Sequence, residues 1–257
     1  MNSVLLQFFQ EHEFLFNEEF HHLLCGERRV ECCPEDALQR GAGWVLTWAD
    51  TESGEWNLAH PFGSPLEYRS WIPQITAIGE FHLLIPQQDV QQSIPDQGAN
   101  VREQLIWHAD PEMVPEGFFP VTVELSGNLG PQPLSDDQDL SHLPAECSLT
   151  WREAPEPVKS EWRHHAYILS EGSIACLVKP IRVTPGTVEV YVETVPNWRD
   201  HGLATKLLTI YLQRLRQEGK CLLYVVSDQN VPSMKVAANL GLRPYQTLFR
   251  IFQPSTE

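Results

Sequence analysis

Val192-Glu193-Thr194-Val195-Pro196-Asn197-Trp198-Arg199-Asp200-His201-Gly202-Leu203-Ala204 is the stretch that decides the fold. An Arg-x-x-Gly-x-Ala turn here joins an alternating strand to a long amphipathic helix. From Thr187 to Val195, Val188, Val190, Val192 and Thr194 fall on one face and Glu189, Tyr191 and Glu193 on the other. Leu203, Leu207, Leu208, Tyr211, Leu212 and Leu215 then recur at helical spacing, and Gly219 ends the helix. A tight turn of this kind points successive backbone N–H groups into one concavity. The unpaired amides and positive dipole of the helix start add to the same field, which suits a pyrophosphate. Gly202 supplies the tight point, Ala204 the close approach and Arg199 a formal positive charge.

The flanks extend the pattern. Cys221 to Val226 is an almost unbroken apolar run, as expected of a strand covered on both faces. Asn230 offers an N-cap, Pro232 suits a first helical turn, and Gly241 closes a second helix after Leu240. Leu242 to Phe252 is again extended. Upstream, Ala166 to Leu169 and Ser173 to Ile181 read as a hairpin leading into the Val188 strand.

Turn, spacing and flanks together resemble the GNAT N-acyltransferase superfamily, whose Arg/Gln-x-x-Gly-x-Gly/Ala turn holds the pyrophosphate of acetyl-CoA. The second part of the signature is matched by the strand ending near Asn230, a short helix and Leu240-Gly241-Leu242. The resemblance begins near His165 and covers roughly the last third of the chain. It implies an α/β (α+β) fold with a central mixed sheet flanked by helices, plus an N-terminal extension or second, smaller domain. The expected division is 1–125, of uncertain fold and a candidate for substrate specificity, and 126–257, the acyltransferase domain.

The resemblance implies three chemical demands. Acetyl-CoA must be held, and the backbone of Glu193, Thr194 and Val195 matches the strand that pairs with pantetheine and polarises the thioester carbonyl. Arg199, Asp200, His201, Gly202, Leu203, Ala204 and Thr205 match the diphosphate turn. Asn230 and Ser233 match positions near the other end of the cofactor, and both also suit a helix start. An amine must be deprotonated, for which Glu189 and Glu193 are rival carboxylates. The departing thiolate must be protonated. The family's usual tyrosine, seven positions beyond the Asn, falls here on Ala237, leaving Tyr245, Tyr224, Ser233 or solvent.

Composition narrows the alternatives. The chain has 257 residues and a formal net charge of −16, which argues against a nucleic-acid or anionic-membrane footprint. No apolar run is long enough to span a bilayer. The start, read as one helix from Met1 to Cys25, lacks the basic leader of an export signal. Six cysteines without an evident disulfide framework favour a reduced cytoplasm.

His21, His22, Cys25, Cys32 and Cys33 do not complete a zinc pattern, so no metal is expected. The two histidines are read as a polar helix face. His164 and His165 are read as structural.

The N-terminal half is less patterned. Gly43 to Trp48 and Phe81 to Ile85 read as strands, Val101 to His108 as a short helix, and Pro86 to Gly98 and Gly127 to Pro144 as loops. Trp44, Trp48, Trp56, Trp71 and Trp107 suit packing, or a substrate pocket. No internal repeat is evident. The partners expected are acetyl-CoA and an amine of a small molecule or protein, with the oligomeric state open. The other reading is a catalytically weak acyl-CoA-binding module that recruits a partner.

Overall fold

The computed structural model describes residues 3–26, 28–49, 57–86, 89, 100–114, 143–153 and 164–252. Of the expected loops at 86–98 and 127–144, residues 87–98 (apart from Asp89) and 127–142 lie outside the described residues, as does Trp56. The chain forms two compact units. One comprises Met1–Ile106, Ser227–Gln229 and Gln246–Glu257, the other Trp107–Val226 and Asn230–Tyr245.

The first unit opens with α1 (Ser3–Glu11) and α2 (Asn17–Cys25), where the sequence suggested one helix. The break has a packing cause. In a continuous helix Phe9 and Phe20 would stand about 16 Å apart along the axis. With the break, their rings stack at 5.7 Å, and Phe16 folds back to 5.4 Å from Phe8. His21 and His22 are both buried, so they do not form the polar surface expected of them.

After these helices come β1 (Arg29–Cys33), α3 (Ala37–Arg40), β2 (Gly43–Trp48), β3 (Leu58–Phe62), α4 (Pro65–Arg69), α5 (Ile72–Ile78) and β4 (His82–Pro86). The strand order is β1-β2-β3-β4. The first two pairings are antiparallel, and β3 runs parallel to β4. Trp44, Leu46, Ala59, Leu83 and Ile85 share a core with Tyr68, Ile72 and Ile75. Phe9, Phe16 and Phe20 pack with Val45 in a separate cluster. The Trp44 indole N–H donates to the Tyr68 carbonyl at 2.6 Å, which satisfies its polar atom inside the core.

Val101–His108, expected as a helix, lies instead in the strand β5 (Asn100–Ala109). Backbone bonds decide this. The Asp228 N–H donates to the Gln104 carbonyl at 3.0 Å, and the Asp110 N–H to the Leu222 carbonyl at 3.3 Å. A short segment with a weak helical pattern takes the conformation its ladder imposes.

The second unit continues with β6 (Cys147–Glu153), β7 (His164–Ser170), β8 (Ser173–Val183), β9 (Thr187–Thr194), α6 (Leu203–Gln217), β10 (Cys221–Ser227), α7 (Val231–Asn239) and β11 (Arg243–Phe252). Neighbouring strands in the order β6-β7-β8-β9 are antiparallel, and β9 pairs in parallel with β10 across the α6 crossover. The end of β11, from Gln246, belongs to the first unit, where Leu248–Phe252 pairs antiparallel with β4.

The helical stripe read from the sequence is the core of the second unit. Leu207, Leu208, Tyr211, Leu212 and Leu215 are fully buried and Leu203 nearly so, against Val188, Val190 and Leu222. Each such side chain contributes about 1.5–3 kcal/mol by leaving water. Trp151 stacks on Tyr211 at 5.6 Å, and the Tyr211 hydroxyl donates to the His164 carbonyl at 2.8 Å. Gly219, at φ 68°, takes the left-handed conformation that ends the helix.

The far end of α6 is anchored by charge. The Arg216 guanidinium donates to both oxygens of Asp110, at 2.7 and 2.8 Å, and to Glu112 at 2.8 Å. The Asp110 side chain is fully buried, so this fork neutralises a carboxylate that has no access to water.

Candidate acyl-cofactor site

The parallel pairing of β9 and β10 is short. It runs from Thr187↔Cys221 to Glu189↔Leu223, after which β9 continues to Thr194 and β10 to Ser227 without each other. β9 keeps its other edge on β8 as far as Cys176↔Thr194. The two strands therefore diverge, and among the described residues the β10-facing backbone of Val190 to Thr194 has no strand partner. An extended ligand can pair with such an edge. Beyond the divergence Tyr191 and Glu193 of β9 are exposed, while Val190, Tyr224 and Val226 are buried.

The turn lies at the wide end of this gap. The Val195 N–H donates to the Ala175 carbonyl at 3.0 Å and fixes where β9 stops. A single 3-10 turn, Pro196–Trp198, follows. Asp200 and Gly202 both have positive φ, 66° and 71°. Nothing lies within 4 Å of where a Cβ on Gly202 would sit, so its glycine answers to backbone conformation rather than to space.

Among the described residues no side chain caps α6, so the amides of Leu203, Ala204 and Thr205, which have no acceptor within the helix, are not satisfied by a cap. The Arg199 guanidinium bends back, and its Nε donates to the Thr194 carbonyl at 3.2 Å. Asp200 and His201 are exposed, and the His201 ring lies 5.8 Å from Trp198.

The two rival carboxylates occupy different settings. Glu189 is buried at the point of divergence, with Arg182 Nη1 2.8 Å from its carboxylate. Sequence reading missed Arg182, and the reason is a β-bulge. The register of β8 against β9 shifts between Pro180 and Arg182, which brings Arg182 rather than Ile181 opposite Glu189. Glu193, farther along β9, accepts a hydrogen bond from the Tyr191 hydroxyl at 3.2 Å.

The candidate proton donors lie on β10, α7 and β11. Ala237 is fully buried in the core. Tyr224, the β10 residue just past the last pair with β9, is hydrogen-bonded to the Ser233 side chain, and burial raises its phenol above the ordinary range. Tyr245 is buried on β11. Asn230 accepts from the Ser233 N–H at 3.2 Å and so caps α7, leaving the Asn230 side chain with a structural task.

Beneath the strand end lies a group that sequence reading passed over. The Thr194 hydroxyl donates to Cys176 Sγ at 3.3 Å. Burial pushes this thiol up to about 11 despite that hydrogen bond. Against its ordinary value of 9.0, the thiolate fraction at pH 8 falls about 100-fold. Iodoacetamide should accordingly label Cys176 in the native protein about 100-fold more slowly than in the unfolded chain, read by peptide mass spectrometry. Equal rates would show that the thiol is reactive.

Comparison with known proteins agrees with this geometry. The GNAT acetyltransferase family model matches residues 166–248. No curated protein matches the sequence. Among solved structures, a GCN5-related N-acetyltransferase from Kribbella flavida superposes with a TM-score of 0.56 at 14% identity, covering 91% of this chain and 92% of that one. A tandem GNAT protein from the clavulanic acid biosynthesis pathway gives 0.55 at 14% identity over 83% and 79% of the two chains. A GCN5-related N-acetyltransferase-like protein from Streptococcus suis gives 0.51 at 15% identity over 94% and 97%. At these identities the likeness is one of fold. The sequence match and the fold coincide on the strand, turn and helix described above: residues 166–248 match the GNAT acetyltransferase family model, and the fold is that of GNAT structures.

Proposed function

We propose that the protein transfers an acetyl group from acetyl-CoA directly to an amine of a small molecule or protein. The observation that carries this reading is the β9–β10 divergence opening onto the uncapped start of α6. Pantetheine would lie along β9 as an added strand, with its thioester near the narrow end and its diphosphate on the amides of Gly202 to Thr205. Of the backbone N–H groups that the resemblance implied for steadying the carbonyl oxygen, that of Val195 is taken by the Ala175 carbonyl, and Glu193 and Thr194 lie toward the diphosphate turn, so the β10-facing edge of β9 nearer Glu189 is the candidate.

Glu189, at the narrow end, is our choice of base, acting through water on an amine that arrives protonated. Glu193 lies nearer the diphosphate turn and suits attraction of a cation better. Tyr224 or Tyr245 would return a proton to the thiolate. The transfer is read as direct, without an acyl-enzyme; burial raises the pKa of Cys176, the thiol hydrogen-bonded to Thr194. Acceptor choice is assigned to residues 1–125, outside the transferase part at 126–257.

Ala237, buried where relatives of this kind place a proton-donating tyrosine, favours one other reading: a weakly catalytic acyl-CoA-binding module. An assay of CoA release against a panel of amines separates the two. Release with one or more amines, well above the rate without any, supports the transferase. Tight acetyl-CoA binding with no amine-dependent release supports the binding module.

Arg199→Glu should weaken acetyl-CoA affinity by about 1.5–3 kcal/mol, the scale of a hydrogen bond to a charged group. Unchanged affinity in the folded variant would remove Arg199 from the site.

A further inference from the structure

The two units repeat one strand order. In the first, β1, β2 and β3 are successively antiparallel and β4 returns in parallel across a helical connection. In the second, β7, β8 and β9 are successively antiparallel and β10 returns in parallel across α6.

The registers also correspond. Ala59↔Leu83 and Val188↔Leu222 each share a core cluster with their own crossover helix. The next residue is His60 in one and Glu189 in the other. Each is buried beside a charged side chain, His60 Nδ1 3.1 Å from the Glu19 carboxylate and Glu189 2.8 Å from the Arg182 guanidinium. The β3–β4 pairs end at Ala59↔Leu83, while β3 runs on to Phe62 and β4 to Pro86, so these strands diverge as well.

What differs is the space. Gly202 has open volume around it, whereas a Cβ on Gly63, in the turn after β3, would stand 2.3 Å from the Gly41 carbonyl oxygen. The helix that follows Gly63 spans five residues and begins with a proline, which has no N–H to offer. Pro61 likewise removes a donor from the diverging edge of β3. The Tyr68 hydroxyl donates to Asp89 at 2.6 Å, which ties α4 to the chain just beyond β4. His60, Pro61, Leu84 and Ile85 are all buried, as are their counterparts Glu189, Val190, Leu223 and Tyr224; the exposure differs one residue farther on, where Phe62 is half-buried and its counterpart Tyr191 is exposed. The turn after β3 is thus crowded by Gly41 and Ala42 where the turn after β9 is open.

We infer that the first unit is a second copy of the acyltransferase core with its cleft closed, so each chain takes up one acyl-CoA, at the β9–β10 gap. This rests on the cofactor reading of that gap. Calorimetric titration of the full chain and of Arg199→Glu with acetyl-CoA tests it, with circular dichroism to confirm folding and Arg199→Gln as the milder variant. The expected result is one molecule per chain, with affinity lowered about 10–100-fold in the variant and no other binding event.

Two molecules per chain would overturn the inference. So would a full-affinity event persisting in Arg199→Glu beside a weakened one, since the first unit would then hold the second ligand. A single event untouched by Arg199→Glu, or no binding by folded wild type, would instead overturn the cofactor reading and the inference with it.

Discussion

Replacing Arg216 with alanine is expected to destabilise the protein by about 3–5 kcal/mol, the usual cost of removing one partner from a buried ion pair. Asp110 has no exposed side-chain surface, and both its oxygens accept from Arg216. After the substitution its hydrogen bond from the Glu112 N–H at 3.1 Å remains, which is too little to hold a buried charge. The effect should appear as a fall of roughly 10 °C in the unfolding midpoint. Arg216→Lys should recover part of it, because a lysine restores the charge but not the two-pronged fit. A loss below about 1 kcal/mol would mean that Asp110 reaches water or another donor.

The largest kinetic effect is expected at Glu189. If Glu189 deprotonates the acceptor amine, Glu189→Gln should lower turnover by about 10²–10⁴-fold, the range for general base catalysis. Acetyl-CoA affinity should hold, because the substitution keeps the side chain's shape and leaves the turn alone. Glu193→Gln should act chiefly on the acceptor's KM, as expected of a group that attracts a cation without taking its proton. The two carboxylates thus give different signatures in one set of steady-state measurements. A large kcat loss at Glu193 with none at Glu189 would exchange their roles.

The second unit was legible because its helix and strands carry their own periodicity. The stripe from Leu203 to Leu215, the alternation of β9 and the apolar run of β10 each report burial through spacing alone. The same holds at element ends, where Asn230 caps α7 and Gly219 and Gly241 take positive φ.

What escaped reading depends on contacts distant in sequence. The break between α1 and α2 follows from stacking Phe9 on Phe20, a tertiary preference that helical spacing does not encode. β5 is a strand because of the backbone bonds at Gln104 and Asp110. The Arg182–Glu189 pair depends on a bulge, and a one-residue slip reverses which side chain faces which. Asp110 and Arg216 stand 106 positions apart, with nothing local to link them. The shared strand order of the two units left no sequence repeat. The first unit's crossover is two short helices, so the long amphipathic stripe that marks α6 has no counterpart there.

Among the described residues no helix is long and apolar enough to cross a membrane. The net charge of −16 would favour a cationic amine as acceptor through long-range attraction.

The most direct test of the central claim is a crystal structure of the protein with acetyl-CoA bound. The account predicts the pantetheine chain against the backbone of Val190 to Thr194, the diphosphate on the amides of Gly202 to Thr205, and the thioester near Glu189. Acetyl-CoA bound elsewhere, with the β9–β10 gap holding only water, would contradict it.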